Sequence, residues 1–562
     1  MRRANRRIRL VVAVFALVFA VALVRVAWLQ AVRADALDRL ATSQHRETLE
    51  VPAHRGTIFD RLGVQLAIGE RATTVYANPR QIVDPRRAAV AAGRALGVEA
   101  EKLYPLLADR SRGFVYVARK ADPERAEALR RQDIVGFGFY PEERRAYPQR
   151  AIASEVVGYA GVDNRGLSGI ELEYDAVLAG EGGSKTIVRD PFGRTLQVIE
   201  SDPVRDGRDV HLTIDHTIQG HVERVLRETR STWSAEAATA VVMDVETGGI
   251  LALGVEPGFD ANEFPVVARR DLARLRNRAV TDTYEPGSTF KVTTIAGVLE
   301  SGLVAPRTRF TLPYSIQVAD RVIHDAVERG TQTMTVAQIL SQSSNVGVVT
   351  LAIELQRQAL SEWIRRFGFG RPTGIDYPGE SKGIVLPPDD WSGSTIGNVP
   401  IGQGIAVTPM QMVAAYGALA NEGVWLQPHL VERVEGEEAV EPKRRRVISE
   451  RVAKQLKRML RGVVEEGSGT SAQVPGYHIA GKTGTAAKPE PTGGYSTSRY
   501  VASFVGYVPA SKPRIVVLVM VDEPKGTIWG GVVAAPAFAE IAQFALQYLE
   551  VPPDAPRAAG SD

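Results

Sequence analysis

The distribution of apolar and polar positions separates one long apolar segment near the N-terminus from two longer regions of mixed pattern. Leu10–Leu29 is a run of 20 residues with a single charge, Arg25. At about 1.5 Å per residue, a helix of this length spans roughly 30 Å, the thickness of the hydrocarbon core of a bilayer. Because residues 1–9 carry five arginines, the pattern predicts a cytoplasmic tail at 1–9, a transmembrane helix at 10–29 and the rest of the chain outside.

A cleaved signal peptide is the alternative for this segment. Ala34-Asp35-Ala36 resembles a cleavage site between small residues. The apolar run is long for a signal peptide, however, and the candidate cleavage site has charged neighbours. We therefore expect an uncleaved, single-pass anchor.

Residues 30–230 are expected to form an N-terminal domain of short strands and helices. The predicted elements are, in order, strands with a turn within 55–67, helices at Pro85 to about Ala108 and at Asp122–Arg131, a strand at Val210–Ile214 and a helix at His216 to about Thr229. Glu171, Glu173 and Asp175 form a carboxylate cluster in this region. No apolar pocket pattern surrounds the cluster, so structural salt bridges are favoured over acid–base chemistry.

Residues 235–550 are expected to form a second domain, followed by a disordered tail at 551–562. The predicted elements include strands at Ala238–Met243, Gly249–Gly254, His478–Thr485, Tyr500–Tyr507 and Arg514–Val521 and helices at Ser449–Glu465 and Ala537–Leu549. The basic run Pro442–Arg446 is expected to be a solvated loop. Two early strands, a helical middle, three late strands and a final helix predict an α+β fold, in which helices cover both faces of a mainly antiparallel sheet.

Composition excludes several classes of chemistry. The chain has 562 residues, which favours two or more domains, and a formal net charge of +3, which implies no nucleic-acid partner. It contains no cysteine, which excludes disulfides, thiol nucleophiles and cysteine metal ligands. Its eight histidines show no metal-ligand spacing, so we assign no metal and no cofactor.

The most informative motif is Ser288-Thr289-Phe290-Lys291, which follows a turn predicted at Pro286–Gly287. Apolar residues at helical spacing come next and place Ser288 at a helix N-terminus. A hydroxyl beside an amine at this end of a helix suits nucleophilic acyl transfer, because Lys291 can take the serine proton and free N–H groups can hold an oxyanion. Alone the motif is weak, since a serine at a helix start is usually an N-cap.

Two further motifs strengthen this interpretation. Ser343-Ser344-Asn345 and Lys482-Thr483-Gly484 follow the first motif in this order. Penicillin-binding proteins and β-lactamases carry such a trio. The three motifs together therefore favour a serine acyltransferase over an isolated helix cap.

The chain resembles the class B penicillin-binding proteins, which are monofunctional peptidoglycan D,D-transpeptidases, over nearly its whole length. The residues that carry the resemblance, besides the trio and Thr485, are Arg55-Gly56-Thr57-Ile58-Phe59-Asp60-Arg61, Arg144-Arg145-Ala146-Tyr147-Pro148, Gly166-Leu167-Ser168-Gly169-Ile170-Glu171, Leu212-Thr213-Ile214-Asp215, Gly402-Gln403-Gly404-Ile405 and Thr408-Pro409. Leu62 departs from the family, which usually has Asn there. Glu285-Pro286-Gly287-Ser288 is similar to the cell-division (FtsI-like) branch, whereas elongation enzymes more often carry Pro-Pro-Gly-Ser.

The resemblance implies a role for each site residue. Ser288 would attack the penultimate carbonyl of a D-Ala-D-Ala stem peptide with Lys291 as its base, and burial and the charge of Lys482 would lower the pKa of Lys291. Ser343 would relay the proton to the leaving amine, and Asn345 would hold the substrate amide and Lys291. The terminal carboxylate would be bound by Lys482, Thr483 and Thr485, and Gly484 would also belong to the substrate-binding site. The N–H groups of Ser288 and Thr485 would form the oxyanion hole.

The resemblance also implies an architecture and partners. A transmembrane helix would carry an elongated pedestal (dimerisation) domain and a β-lactamase-like transpeptidase domain outside the inner membrane. The expected partners are peptidoglycan stem peptides, β-lactams as inhibitors, an FtsW-like glycosyltransferase and other division proteins.

Other functions remain open from the residues. Within the family, an elongation-type transpeptidase is the alternative to the division enzyme. The trio also occurs in carboxypeptidases, penicillin sensors and β-lactamases, and a class A β-lactamase needs a glutamate that activates water. Glu380 has about the right separation from Ser343, but the Asn that normally accompanies such a glutamate is missing. A non-catalytic cell-wall scaffold is a further alternative.

Overall fold

The structure is a computed structural model that describes residues 2–31, 46–189, 195–491 and 493–555. The chain forms two compact units, one of residues Met1–His54 and Gly180–Gly207 and the other of residues 55–179 and 208–562. The candidate cleavage site at 34–36 and residues 556–562 of the predicted tail lie outside the described residues.

The first unit contains the apolar helix Arg2–Ala31 and a three-stranded sheet. The predicted span at 10–29 lies inside this helix, of which Asn5–Ala31 is long and apolar enough to cross a membrane. The helix also includes most of the predicted tail, because arginine is a good helix former. The sheet is antiparallel, with Gly183–Arg189 between Arg46–Val51 and Thr195–Asp202.

The second unit begins with a six-stranded sheet to which a distant part of the chain contributes. Its strands are, in spatial order, Val431–Val434, Val210–Leu212, Ile58–Phe59, Gln65–Ala77 and Val115–Ala121, with Phe137–Ala146 also paired to Gln65–Ala77. Helices of this region are Pro85–Leu96, Ala100–Ala108, Pro123–Arg130, Ser154–Val157, Gly169–Glu173 and Asp175–Leu178. The single helix predicted from Pro85 is two helices, because Gly97 adopts a left-handed conformation with φ of 77° and ends the first.

The carboxylate cluster of this region forms salt bridges, as predicted. Glu171 is buried and contacts the guanidinium groups of Arg55 at 2.7 Å and Arg145 at 2.6 Å. Arg55 also contacts Asp175 at 2.7 Å. The three sequence motifs that contain Arg55, Arg145 and Glu171 therefore meet in one buried ion-pair network.

A five-stranded antiparallel sheet organises the rest of the unit. Its strands are, in spatial order, Ile250–Glu256, Ala237–Asp244, Ile515–Asp522, Tyr495–Val508 and Ala480–Pro489. Val241 and Met243 face one core, whereas Ala240 and Val242 face another. This alternation follows the period of two of a β-strand. The predicted antiparallel sheet with helices on both faces is confirmed.

Helices that pack on the sheet include His216–Thr232, Pro409–Ala420, Glu450–Glu465 and Ala535–Tyr548. The other helices of this part are Phe264–Arg270, Arg278–Thr281, Lys291–Glu300, Val336–Ser341, Asn345–Leu355, Arg357–Phe367, Thr395–Asn398 and Gly530–Val533. Short antiparallel pairs are Tyr159–Ala160 with Gly166–Ser168, Arg309–Leu312 with Gln332–Thr335, Ser315–Val318 with Arg321–His324, and Val424–Leu426 with Arg444–Arg446.

Two segments differ from their predictions. Arg444–Arg446 is a strand and not a solvated loop, and the guanidinium of Arg445 lies 4.5 Å from the ring centroid of Trp425. Residues 551–555, which begin the predicted tail, are bound, because the Asp554 carboxylate accepts hydrogen bonds from the backbone N–H groups of His478 and Ser511. The ordered chain therefore continues beyond residue 550.

Candidate active site

Ser288 lies in a 3₁₀ turn, Gly287–Phe290, that leads directly into the helix Lys291–Glu300. Tyr416 stabilises the turn, because its hydroxyl donates a hydrogen bond to the Thr289 carbonyl at 2.9 Å. Gly402 approaches so closely that a Cβ there would lie 2.1 Å from the Gly287 carbonyl oxygen. The turn predicted at Pro286–Gly287 and the N-terminal position of Ser288 are both present.

Lys291 joins the first motif to the second. Its side chain is fully buried. Its Nζ donates to the Ser343 carbonyl at 2.6 Å and to Asn345 Oδ1 at 2.6 Å, and it lies 3.2 Å from Ser343 Oγ. Ser343 has a φ of 60°, a strained conformation for a non-glycine residue that turns its carbonyl toward the lysine between two helices.

The third motif lies on the edge strand Ala480–Pro489, against the Ser288 turn. A Cβ at Gly484 would lie 2.9 Å from the Pro286 carbonyl oxygen, so only glycine permits this approach. Thr483 Oγ1 lies 3.1 Å from Lys482 Nζ and 2.8 Å from Ser468 Oγ. Thr485 Oγ1 accepts a hydrogen bond from the Gly530 N–H at 3.1 Å.

The two lysines of the site are electrostatically unusual. Burial, followed by the charge of Lys482, holds the pKa of Lys291 well below its ordinary value, while the carboxylate of Asp325 acts in the opposite direction. Burial lowers the pKa of Lys482 to about 7. Both causes predicted for Lys291 are therefore present, and the lowered pKa favours the neutral amine that a general base requires.

The structure brings all the predicted site residues together at one edge of the sheet. They are Ser288, Lys291, Ser343, Asn345, Lys482, Thr483, Gly484 and Thr485. Glu380 is not among them: its carboxylate accepts hydrogen bonds from the Thr373 and Gly374 N–H groups at 2.6 and 2.9 Å, a loop-closing role.

Sequence reasoning missed two carboxylates near these residues. Asp325 is buried and accepts hydrogen bonds from Ser344 and from the backbone of Asn345. Glu285 Oε1 accepts from the Gly404 N–H and the Tyr495 hydroxyl, and burial raises the pKa of Glu285. Glu285 adjoins the first motif, which was a usable signal, whereas Asp325 lies in no motif.

Family models match almost the whole of the described second unit and part of the first. The model of the penicillin binding protein transpeptidase domain matches residues 238–543. That of the penicillin-binding protein dimerisation domain matches residues 50–212.

Curated relatives resemble the chain from end to end. Stage V sporulation protein D of Bacillus subtilis is 34% identical over 98% of this chain and 86% of its own length. Peptidoglycan D,D-transpeptidase FtsI of Escherichia coli is 31% identical over 94% of this chain and 90% of its own length. Among solved structures, penicillin binding protein 3 of Mycobacterium tuberculosis complexed with aztreonam superimposes with a TM-score of 0.72 at 31% identity, covering 92% of this chain and 100% of that one.

Proposed function

Since this chain belongs to the class B penicillin-binding proteins of the FtsI type, we propose that it is a serine-type D-Ala-D-Ala transpeptidase that cross-links peptidoglycan stem peptides at the division site. Its relative in Escherichia coli carries the name of this activity. The proposal rests most on one observation: a buried lysine amine contacts Ser343 and Asn345 three residues after an N-terminal serine.

In the acylation step, Ser288 Oγ attacks the carbonyl carbon of the penultimate D-Ala while Lys291 takes the hydroxyl proton. The ester bond to Ser288 forms, and the peptide C–N bond to the terminal D-Ala breaks. The leaving amine receives a proton by way of Ser343, which lies 3.2 Å from Lys291 Nζ. The Ser288 and Thr485 N–H groups stabilise the oxyanion.

In the second step, an amine of a neighbouring stem peptide attacks the ester carbonyl. A new amide bond forms and the ester bond to Ser288 breaks, while the proton lost by the attacking amine returns to Ser288 Oγ by way of Lys291. The side chain of Asn345 holds the donor amide in both steps. The terminal carboxylate of the donor is held by Lys482, Thr483 and Thr485 beside Gly484, where the edge strand lies close to the nucleophile turn.

β-Lactams are expected to enter the same site, because they mimic the donor. The related Mycobacterium tuberculosis protein has been solved with aztreonam. In this chain the ring-opening reaction would leave a stable ester on Ser288.

The apolar helix supports a proposal for the position of the protein in the cell. We propose that the helix Arg2–Ala31 anchors the protein once in the inner membrane, with the N-terminus inside and the catalytic domain outside. The N-terminal domain and the anchor would bind an FtsW-like glycosyltransferase and other division proteins. Residues 30–230 are the proposed pedestal and residues 235–550 the proposed transpeptidase domain.

Intact-protein mass spectrometry after exposure to a penicillin tests the chemistry. Full-length protein in detergent would be compared with Ser288→Ala, and the adduct would be followed over hours. Ser361→Ala is a matched control, because Ser361 is buried and its Oγ has no hydrogen-bond partner among the described residues. We expect a persistent adduct that maps to Ser288 and is absent only from Ser288→Ala.

Two other outcomes contradict the proposal. An adduct that forms and is rapidly lost indicates a β-lactamase. A folded protein that forms no adduct indicates a non-catalytic scaffold.

Localisation of a fluorescent fusion tests the division role separately. We expect enrichment at midcell in dividing cells. A uniform signal along the lateral wall would instead identify an elongation enzyme of the same family.

A further inference from the structure

Asp325 lies outside the second motif and accepts hydrogen bonds from residues of that motif. It directly follows the strand Arg321–His324 and is buried. Its Oδ1 accepts hydrogen bonds from the Asn345 N–H at 2.6 Å and the Val346 N–H at 3.0 Å, and Ser344 Oγ donates to it at 3.0 Å. One carboxylate therefore fixes the start of the helix that carries Asn345.

A guanidinium holds this carboxylate from the opposite side. Arg329 Nη2 and Nε lie 2.5 and 2.9 Å from Asp325 Oδ2. Arg329 in turn donates to the Leu312 carbonyl at 2.9 Å. Both nitrogens donate to the same oxygen, so these charge-assisted contacts hold Oδ2 at Arg329 while Oδ1 accepts from the backbone of the second motif.

The side chain of Asn345 lies between the Asp325–Arg329 ion pair and Lys291. Its Nδ2 donates to the His324 carbonyl at 3.0 Å, while its Oδ1 accepts from Lys291 Nζ at 2.6 Å. Each end of the amide thus has one protein partner, which leaves the second Nδ2 hydrogen and the second Oδ1 lone pair for the substrate. The chain of contacts runs without a break from Arg329 through Asp325 and Asn345 to Lys291.

We propose that Asp325, held by Arg329, is a positioning residue for acyl transfer that holds Asn345, and through Ser344 the adjoining Ser343, against Lys291 and supplies a negative charge to the electrostatic field at that lysine. This inference rests on the proposed transpeptidase function. The residue touches no substrate in this role and acts through Asn345 and the electrostatic field at the lysine.

The electrostatic part of the proposal has a definite sign. Lys482 disfavours the protonated form of Lys291, and the Asp325 carboxylate favours it. Arg329 pairs with Asp325 and weakens its effect on Lys291, and His324 contacts Asp325 through a hydrogen bond between Nδ1 and the Asp325 carbonyl. Removing the aspartate charge should lower the pKa of Lys291, and removing the arginine charge should raise it.

The test measures the rate of acylation by a fluorescent penicillin against pH, using full-length protein in detergent. The variants are Asp325→Asn and Arg329→Gln, each compared with wild type. Asp376→Asn is the matched control, because the Asp376 carboxylate is half-buried and also accepts backbone hydrogen bonds, from Leu430 at 2.6 Å and Val431 at 2.8 Å. Thermal unfolding of every variant is recorded.

We expect opposite shifts in the two variants. The rate rises with pH as the base loses its proton, and this rise should move by about one unit to lower pH in Asp325→Asn and by a smaller amount to higher pH in Arg329→Gln. The maximal rate of Asp325→Asn should fall about tenfold, because the amide lacks the charge-assisted contacts. Asp376→Asn should be less stable with an unshifted profile.

The possible results separate the two proposals. If wild type is acylated and neither profile moves, Asp325 has only a structural role and the inference is overturned. If Asp325→Asn does not fold, the direction of the Arg329→Gln shift decides the question alone. If wild type forms no adduct at any pH, the proposed function fails instead.

Discussion

Two groups of buried charged side chains in this protein differ in whether an opposite charge lies beside each of them. In the N-terminal domain, Arg55 and Arg145 lie within 2.7 Å of the Glu171 carboxylate. In the active site, Lys291 and Lys482 are both fully buried, carry the same sign of charge and donate to neutral oxygen atoms. The first group pairs each charge with an opposite charge, whereas neither lysine of the second group has a carboxylate partner among the described residues.

The pKa directions of the two groups follow from this difference. Burial disfavours the charged form of Arg55, but Glu171 and Asp175 outweigh it and raise its pKa. Burial lowers the pKa of both lysines, since no carboxylate offsets it fully. Paired burial gives a permanently ionised structural network, and unpaired burial gives groups able to exchange protons near neutral pH.

Lys291→Met is the change with the largest expected effect, and it bears on the unpaired group. The rate of acylation by penicillin should fall by about a thousandfold, which is within the range of general-base catalysis. Stability should change little, because methionine removes a buried amine while keeping most of the volume. Stopped-flow acylation and thermal unfolding measure the two quantities.

Lys102→Met is the control for that variant, since Lys102 is exposed and pairs with Glu99 on the surface. Its acylation rate should equal that of wild type. A strong loss of stability in Lys291→Met with an unchanged acylation rate would mean that the buried amine has a structural role. The contrast between the active-site lysines and the Glu171 network would then be wrong.

Glu171→Gln bears on the paired group and should have the opposite signature. It leaves Arg145 buried without its carboxylate and Arg55 with Asp175 alone, which costs about 3–5 kcal/mol of the free energy of unfolding. The acylation rate of the folded fraction should stay within about twofold of wild type, because the network contains no group of the active site. Urea denaturation and acylation assays on the same preparations check both. A loss below about 1 kcal/mol would show that the network is dispensable.

The pH dependence of stability sharpens the comparison further. Lys482 has a pKa of about 7 when folded and an ordinary value of 10.5. Below pH 7 both states carry the proton and the folded protein bears the full cost of the buried charge. Between pH 7 and 10.5 the unfolded state binds more protons, so stability rises with pH. Relative to Lys482→Met, wild type should gain about 2 kcal/mol between pH 7 and 9.

The matched measurement uses Glu171→Gln over the same pH range. Its difference from wild type should stay constant, because an arginine network does not titrate there. If the Lys482→Met difference is equally flat in urea titrations, Lys482 keeps its proton at pH 9 and the contrast between the two groups disappears.

How far the sequence predicts these groups depends on the range of the signal. Serine, lysine and threonine in the three motifs carry recognisable chemistry, and apolar runs mark the strands of the central sheet. Asp325 carries no such signal, since a single aspartate after a short strand has no periodicity and its partners in the second motif lie about 20 residues away. Its role depends on tertiary contacts that no local pattern encodes.

Strand pairing between distant segments could not be predicted from the sequence for the same reason. Val431–Val434 pairs with Val210–Leu212, more than 200 residues earlier in the chain. Arg444–Arg446 is a strand because it pairs with Val424–Leu426 and because the Trp425 ring packs against the Arg445 guanidinium. Basic residues disfavour strands locally, and tertiary context overrides that preference.

Glu70→Gln should have the smallest effect on the free energy of unfolding. It tests whether the burial of an ion pair decides how much the pair contributes to stability. Glu70 pairs with Arg144 at 2.7 Å on neighbouring strands, but the two side chains are 42% and 50% exposed. Arg144 precedes Arg145 directly, and the period of two of a strand turns one outward and the other into the core. Water and salt screen the exposed pair, so urea denaturation should detect a loss below about 1 kcal/mol that shrinks further at high ionic strength. A loss as large as that of Glu171→Gln would mean that the contact itself, and not its burial, sets the stability of the N-terminal domain.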